Sequence, residues 1–181
     1  MIVCAGSKEQ FSFATAVGIG MIDVAISLSK VCIEKKPNYF TFVGTAGSYG
    51  DKKIFDIVES TRACNIENSF FNAKAYSPID SYIPLNDNVS RETINSSNYI
   101  STDKEIAKKY LERNINLENM EFYAVLKVAE KFNIGAKGIF IVTNYCNENA
   151  HKDFIANHEE AMERLTQYMQ ENNYIQKSTY D

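Results

Sequence analysis

Four places in the sequence carry groups that could take part in chemistry. Two are the carboxylates of Glu9 and Glu121, and a carboxylate can act as a base or accept hydrogen bonds from hydroxyl groups. The other two are residues 44–50, which hold three glycines, and the polar residues 143–149. Small residues let backbone N–H groups approach an anion or a water molecule. Each feature also has a structural explanation, because surface glutamates, helix-start carboxylates and strand-end turns are common.

The cysteines and histidines do not form a metal-binding pattern. No two cysteines have CxxC spacing, and His151 and His158 are the only histidines, so we expect no metal and no cofactor. Cys4 and Cys32 lie among apolar residues and are predicted to be core groups in a reducing cytoplasm. The apolar spacing of the last helix favours a core or interface role for His158 over a catalytic one.

Length and charge limit the class of protein. The 181 residues suit a single domain covering 1–181. The net charge is −4 and no Lys/Arg run exceeds two residues, which argues against nucleic acid or an anionic membrane surface as a partner. No signal peptide is visible, and no apolar run approaches the roughly 20 residues that cross a bilayer.

The first fifty residues predict a β–α–β unit. Residues 2–5 form a short apolar strand, and residues 11–17 are a candidate second strand. Apolar residues then recur at helical spacing over residues 20–35, and Pro37 stops that helix. Residues 39–43 are β-branched and aromatic and predict a buried strand that ends in a turn cluster at residues 44–50.

The rest of the chain continues the alternation of strands and helices. Strands are predicted at residues 54–58, 70–76, 91–95 and 138–143, and helices at 102–113, 120–132 and 154–169. Thr102 and Glu105 have capping-box spacing at the start of the first of these helices. The pattern predicts a three-layer α/β/α domain with a mixed, largely parallel central sheet. Ligands of such sheets collect at the carboxyl ends of strands, where residues 44–50 and 143–149 lie.

Three segments, in order, resemble the nucleoside phosphorylase/nucleosidase family. Residues 18–50 resemble its Gly-x-Gly, helix, strand and Gly-Ser/Thr-Ala-Gly block, residues 118–132 its Met-Glu helix, and residues 138–147 the strand that ends at its catalytic acid. The resemblance is closest to the methylthioadenosine/adenosylhomocysteine nucleosidase branch. It implies that fold with a shortened N-terminal part, and cleavage of the N-glycosidic bond of a purine nucleoside.

The resemblance assigns the sugar and the nucleophile to particular residues. Purine ribosides break through a transition state like an oxocarbenium ion, which a nearby negative charge stabilises. Glu121 would accept hydrogen bonds from the 2′ and 3′ hydroxyl groups, and Met120 would pack on the sugar. Glu9, which falls shortly after the first strand, would activate the attacking water.

Two further segments complete the site that the resemblance implies. Thr45, Ala46 and Gly47 match the turn that lines the position of the nucleophile. Tyr99 and Ile100 match the segment that clamps the base between an aromatic ring and backbone hydrogen bonds. Both segments are therefore predicted to bind substrate.

Asn147 is where this sequence departs from the nucleosidase branch. The resemblance aligns it with the aspartate that protonates N7 of the departing adenine, and an amide cannot supply that proton. Asparagine can donate a hydrogen bond to N7, and the trimeric purine nucleoside phosphorylases use it on 6-oxopurines. We therefore expect either a preference for 6-oxopurine nucleosides or slow cleavage of adenine nucleosides.

Water and phosphate remain alternative nucleophiles. Hexameric phosphorylases hold phosphate with arginines, and Phe42 stands where they carry one. This favours water, although Arg91 could reach the site as a phosphate ligand. A third alternative is a nonenzymatic protein that binds purines or nucleosides, which the missing acid and the short N-terminal segment would both suit.

The resemblance also implies a homodimer or a dimer-based oligomer. In the family a neighbouring subunit often closes the 5′ side of the pocket. In this sequence the aromatic residues between positions 70 and 83 could supply apolar surface for such an interface, or could equally be ordinary core.

Overall fold

The computed structural model describes residues 1–73, 76–83 and 92–176. Its strands are β1 (Ile2–Cys4), β2 (Thr15–Ala16), β3 (Tyr39–Ser48), β4 (Ile57–Ser60), β5 (Ala63–Cys64), β6 (Ile94–Ser96), β7 (Leu117–Asn119) and β8 (Gly135–Tyr145). Its helices are α1 (Gly20–Lys35), α2 (Lys104–Leu111), α3 (Phe122–Phe132) and α4 (Ala150–Glu171). A 3-10 helix covers Asn68–Asn72.

Strand β3 organises the sheet. It pairs with β8 in parallel along its whole length. Strand β1 pairs in parallel with its beginning, and β7 pairs antiparallel with its end. The pairs β1–β2, β5–β6 and β6–β7 are parallel, and β4–β8 is antiparallel. The described sheet is thus mixed and largely parallel, which confirms the predicted fold class.

Helices cover both faces of this sheet because its central strands are apolar on both sides. Phe40 and Phe42 of β3 belong to a buried cluster with α1 and α3. Val43 and Ile139 belong to a second cluster with Leu165 of α4. Side chains alternate between the two faces along a strand, so a strand buried on both faces reads as one continuous apolar run. The three-layer prediction is confirmed.

Several local predictions were wrong or displaced. Residues 44–48 are not a turn cluster, because they continue β3 and pair with β7 and β8. Residues 68–72 form a 3-10 helix where part of a strand was predicted, and only Thr15–Ala16 of the predicted second strand pairs. The cap of α2 is Asp103, one residue after Thr102, because its carboxylate accepts from the backbone N–H groups of Glu105 and Ile106.

The cysteines, metal-ligand groups and helices of the described residues bear on three further expectations from the sequence. All four cysteines are free and buried, as predicted for Cys4 and Cys32. No group of three or more His, Cys, Asp or Glu in the described ranges could hold a metal ion. Among the helices of the same ranges, none is long and apolar enough to cross a membrane.

Candidate active site

A cavity of about 320 Å³ opens at the carboxyl ends of β1, β3 and β8. Residues 5–9 after β1, residues 45–47 of β3 and residues 118–121 before α3 form most of its wall. Ile19, Ile100, Asn144, Ala150, His151 and Phe154 complete it. The position is the one where open α/β sheets bind ligands.

Glu121 is the most deeply buried charged group that was predicted for this site. Its side chain is 4% exposed, and its Oε1 accepts a hydrogen bond of 2.9 Å from the backbone N–H of Gly20. That N–H belongs to the start of α1, where the helix dipole favours a negative charge. A carboxylate offers about four acceptor positions, so Glu121 keeps capacity for hydroxyl groups of a ligand.

The environment of Glu121 opposes its ionisation. Burial, followed by repulsion from the Glu9 carboxylate, raises the pKa of Glu121 to about 7. The Gly20 N–H acts in the other direction because it bonds the charged form. Gly20 has φ = +79°, which favours glycine at this position.

Glu9 is fixed to strand β3 by two hydrogen bonds. The backbone N–H of Thr45 donates to Oε2 at 3.1 Å, and the Thr45 hydroxyl donates to Oε1. Burial raises the pKa of Glu9 above its usual range, and the two Thr45 bonds counteract part of this rise. A carboxylate that is held in place with a raised pKa can accept a proton from a bound water molecule.

Asn119 joins the elements that carry these two carboxylates. Its Oδ1 accepts from the backbone N–H groups of Glu121 and Phe122 at 2.8 and 2.9 Å. Its Nδ2 donates to the carbonyl oxygen of Thr45 at 3.2 Å. The side chain therefore caps the start of α3 and ties it to β3, which keeps Glu121 and Glu9 in one arrangement. This residue was not predicted as part of the site.

Glu118 is a third carboxylate in the cavity wall, and it was also not predicted. It is 5% exposed and accepts hydrogen bonds from Ser101 and Tyr49. Burial raises the pKa of Glu118, while the bonds from Ser101 and Tyr49 oppose the rise. Its place in the sequence, three residues before Glu121, gave no separate signal.

Of the two asparagines at the end of β8, Asn144 lies in the cavity wall and Asn147 does not. Strand β8 carries one extra residue, Thr143, so that Ala46 lies opposite Val142 and Gly47 opposite Asn144. Such bulges are common beside active sites. Asn147 lies after the strand, outside the cavity lining, and its Oδ1 accepts the backbone N–H of Asn149 at 2.8 Å. This turn leads into α4, which explains its position.

The other predicted site residues divide between the cavity and the surface. Thr45, Ala46, Gly47, Ile100 and Met120 line the cavity together with Glu9 and Glu121. Tyr99 does not, because its side chain points to solvent and is 82% exposed. Arg91 lies outside the described residues. His158 lies outside the lining and packs its ring against Phe154.

Fold and cavity together define the class of structure. This is an α/β fold of the nucleosidase type, with buried carboxylates at the carboxyl ends of its parallel strands. No protein-family model matches the sequence, and no curated protein matches it either. The likeness to known proteins is therefore one of three-dimensional structure.

Solved structures of nucleosidases superpose on nearly the whole chain. One is a Helicobacter pylori 5′-methylthioadenosine/S-adenosylhomocysteine nucleosidase, an aspartate-to-asparagine mutant with 5′-methylthioadenosine in its active site. It aligns with a TM-score of 0.79 at 14% identity, covering 96% of this chain and 97% of that one. A futalosine hydrolase mutant of the same organism aligns with a TM-score of 0.76 at 17% identity, covering 93% of this chain and 95% of that one. The 5′-methylthioadenosine/S-adenosylhomocysteine nucleosidase of Streptococcus pneumoniae aligns with a TM-score of 0.72 at 15% identity, covering 93% of this chain and 95% of that one. The fold implied by the family resemblance is thereby confirmed.

Proposed function

We propose that this protein cleaves the N-glycosidic bond of a purine nucleoside with water. The observation that carries the proposal is the buried carboxylate of Glu121 in the wall of a ligand-sized cavity that also holds Glu9. The cavity sits on a fold shared with proteins that cleave nucleosides. A negative charge there would stabilise the positive charge that develops on the ribosyl group.

In this proposal Glu121 binds the sugar and Glu9 activates the water. Glu121 accepts from the 2′ and 3′ hydroxyl groups, and hydrogen bonds to a charged group contribute about 1.5–3 kcal/mol each. Met120 supplies an apolar wall next to it. Glu9, held by Thr45, takes a proton from water, which is typically worth about 10²–10⁴-fold in rate.

We assign contact with the base to Asn144 and Ile100 in place of Asn147 and Tyr99. Asn144 lines the cavity beside Gly47, and its amide can donate a hydrogen bond to N7 but cannot protonate it. A Helicobacter pylori nucleosidase in which one aspartate is replaced by asparagine holds 5′-methylthioadenosine in its active site. An amide in this wall supports nucleoside binding with slow cleavage of adenine substrates.

The charges around the cavity favour water over phosphate. Phe42, which stands where hexameric phosphorylases carry an arginine, is fully buried against Phe122 and Phe140. Among the described residues the cavity lining includes Lys8 and no arginine. Arginine binds phosphate through bidentate contacts, and the described lining offers none of these contacts, which favours water.

We further propose that the protein is a homodimer formed through α1. Ile22, Ile26 and Ile33 on this helix are all exposed, and an apolar stripe of this kind marks an interaction surface. The stripe continues to the exposed Ile19, which lines the cavity. A second copy on this face would shield the cavity mouth from water.

Free, buried cysteines support the cytoplasmic location expected from the sequence.

Product analysis tests the proposed reaction. We expect purified protein to release free base and free ribose from purine nucleosides, with no dependence on phosphate. Glu121→Gln should lower kcat/KM by at least about 100-fold, because it removes the negative charge that stabilises the positively charged ribosyl group in the transition state. Glu163→Gln, an exposed glutamate of α4, is the matched control and should behave as wild type.

Two outcomes would contradict this function. Release of sugar-1-phosphate only when phosphate is present would make the protein a phosphorylase. Nucleoside binding by calorimetry without any release of base would make it a binding protein.

A further inference from the structure

Residues 97–101, here called the rim segment, border the cavity and are attached to β7 at both ends. The segment follows β6, and its three middle residues are exposed. At its start the backbone N–H of Ser97 donates to the carbonyl oxygen of Asn119 at 3.3 Å. At its end Ser101 donates to the side chain of Glu118. These two attachments therefore fix where the rim segment lies.

The attachment at Ser101 is the stronger of the two. Oε1 of Glu118 accepts the backbone N–H of Ser101 at 2.8 Å, and Oε2 accepts its hydroxyl group at 2.5 Å. Hydrogen bonds to an ionised acceptor are about twice as strong as those between neutral groups. Because both carboxylate oxygens bond the same residue, they fix the direction of the chain at Ser101 as well as its position.

Further buried groups hold the Glu118 carboxylate in place. The Tyr49 hydroxyl donates to Oε2 at 2.9 Å, and the Tyr49 ring stacks on Tyr110 with ring centroids 4.3 Å apart. Nδ2 of Asn95 donates to the Tyr49 hydroxyl oxygen at 3.3 Å. These four residues are all buried, so the rim segment is attached to a packed and hydrogen-bonded support.

The middle of the rim segment lies between the cavity and the start of α1. Ile100, the residue before Ser101, lines the cavity although it is 55% exposed. Asn98 lies beside α1, since a Cβ built on Gly20 would be 3.2 Å from its Oδ1. Loss of the Ser101 attachment would therefore free Ile100 from the cavity wall, whereas Glu121 keeps its own bond to Gly20.

We propose that Glu118 is a positioning residue that fastens the rim segment over the cavity through Ser101 and so keeps Ile100 against a bound ligand. Glu118 touches no reacting atom in this role. A ligand that needs the fastened state binds with its intrinsic dissociation constant divided by the fraction of molecules in that state. The kinetic effect of Glu118 rests on the proposed function, whereas its hold on the rim segment does not.

Steady-state kinetics of Ser101→Ala test this role, because the variant loses the hydroxyl bond to Glu118 and keeps the backbone one. The substrate is whichever of inosine and adenosine wild type cleaves faster. We expect KM to rise by about 10-fold, since one charge-assisted bond no longer favours the fastened state. We expect kcat to stay within about 3-fold, since Glu9 and Glu121 keep their own partners. An unchanged KM, or a loss confined to kcat, would overturn the proposal.

Ser97→Ala is the matched control, because it removes a hydroxyl group from the same segment without reaching Glu118. The Ser97 hydroxyl oxygen accepts the backbone N–H of Tyr99 at 3.2 Å, so this variant also loses one hydrogen bond. Its KM should remain close to that of wild type. An equal rise of KM in Ser97→Ala and Ser101→Ala would mean a general disturbance of the segment, and Glu118 would then have no particular role.

Amide hydrogen exchange, followed by NMR, measures the attachment without any reaction. In wild type the N–H of Ser101 should exchange at least about 10-fold more slowly than the N–H groups of Asn98 and Ile100, because it is held by a buried acceptor. In Ser101→Ala the exchange at residue 101 should become faster by a similar factor. Equal exchange of the three amides in wild type would overturn the proposal, and this result needs no variant.

Failure of the inference and failure of the proposed function give different results. If wild type cleaves nucleosides and Ser101 is unprotected, the nucleosidase function stands and the role of Glu118 does not. If wild type cleaves no nucleoside, calorimetry with hypoxanthine replaces the measurement of KM. A weaker Kd in Ser101→Ala would then support the role of Glu118 in binding, and an equal Kd in both proteins would overturn it.

Discussion

Glu121 is a carboxylate that folding removes almost completely from water, and this has a thermodynamic cost. Its folded pKa of about 7 compares with an ordinary value of 4.5. Below the lower value the group is protonated in both states. Between pH 4.5 and about 7 the unfolded state ionises while the folded state remains largely protonated. The free energy of unfolding therefore decreases as the pH rises, until the pH passes 7.

We therefore expect Glu121→Gln to be more stable than wild type at pH 8, by up to about 3 kcal/mol, and equal to it near pH 4.5. The amide keeps an oxygen for the Gly20 N–H but carries no charge to bury. Denaturant unfolding of both proteins at the two pH values measures this difference. A variant that is less stable than wild type at pH 8 would mean that Glu121 is not held in an unfavourable charged state.

The two asparagines at the end of β8 give a paired test of which one faces the base. Asn144→Asp places a carboxyl group in the cavity wall, where it can protonate N7, and should raise kcat for 5′-methylthioadenosine by about 100-fold. Asn147→Asp changes a residue outside the lining and should have little effect. Steady-state kinetics of the two variants decide between the positions, and the reverse pattern would restore Asn147 as the catalytic position.

At the scale of elements, the β3–β8 pair brings its side chains close together, and Gly47 makes this possible. A Cβ at this position would lie 2.9 Å from Cys146 Sγ and 3.0 Å from Asn144 Nδ2. Gly47→Ala should therefore displace Asn144 and lower kcat/KM by about 10-fold or more, since small misplacements in a site are costly. Adding Cys146→Ala should recover part of the activity, because it removes the nearer contact. Full activity in Gly47→Ala alone would contradict this packing.

The elements were predictable where the pattern was local and long. Helix α1 was predicted over its full range, since apolar spacing, the glycines before it and Pro37 all act within a few residues. The end of β3 was not, because small residues such as Gly44 and Thr45 are typical of turns and only pairing with distant β7 and β8 makes them a strand. The bulge at Thr143 depends on the same long-range pairing. For this reason the sequence pattern predicted the correct polar segment, 143–149, but assigned contact with the base to Asn147, whereas Asn144 lies in the cavity wall.

At the scale of the whole molecule, the exposed face of α1 predicts the state of association. Ile26 is 65% exposed in the single chain, and Ile26→Glu would place a charge in a dimer interface, where charged residues are depleted. We expect sedimentation velocity to show a dimer for wild type and a monomer for this variant. Ile155→Glu alters an equally apolar, half-exposed residue of α4 and should remain dimeric. A monomeric wild type would remove the proposed interface.

Helix α1 connects the sugar-binding carboxylate to the proposed dimer surface. Its first N–H holds the carboxylate of Glu121, and its side carries the exposed isoleucines. If that side is the subunit contact, assembly and sugar binding are linked equilibria, and each strengthens the other by the same factor. Dilution would then act as an inhibitor, and a rising nucleoside supply would draw the subunits together.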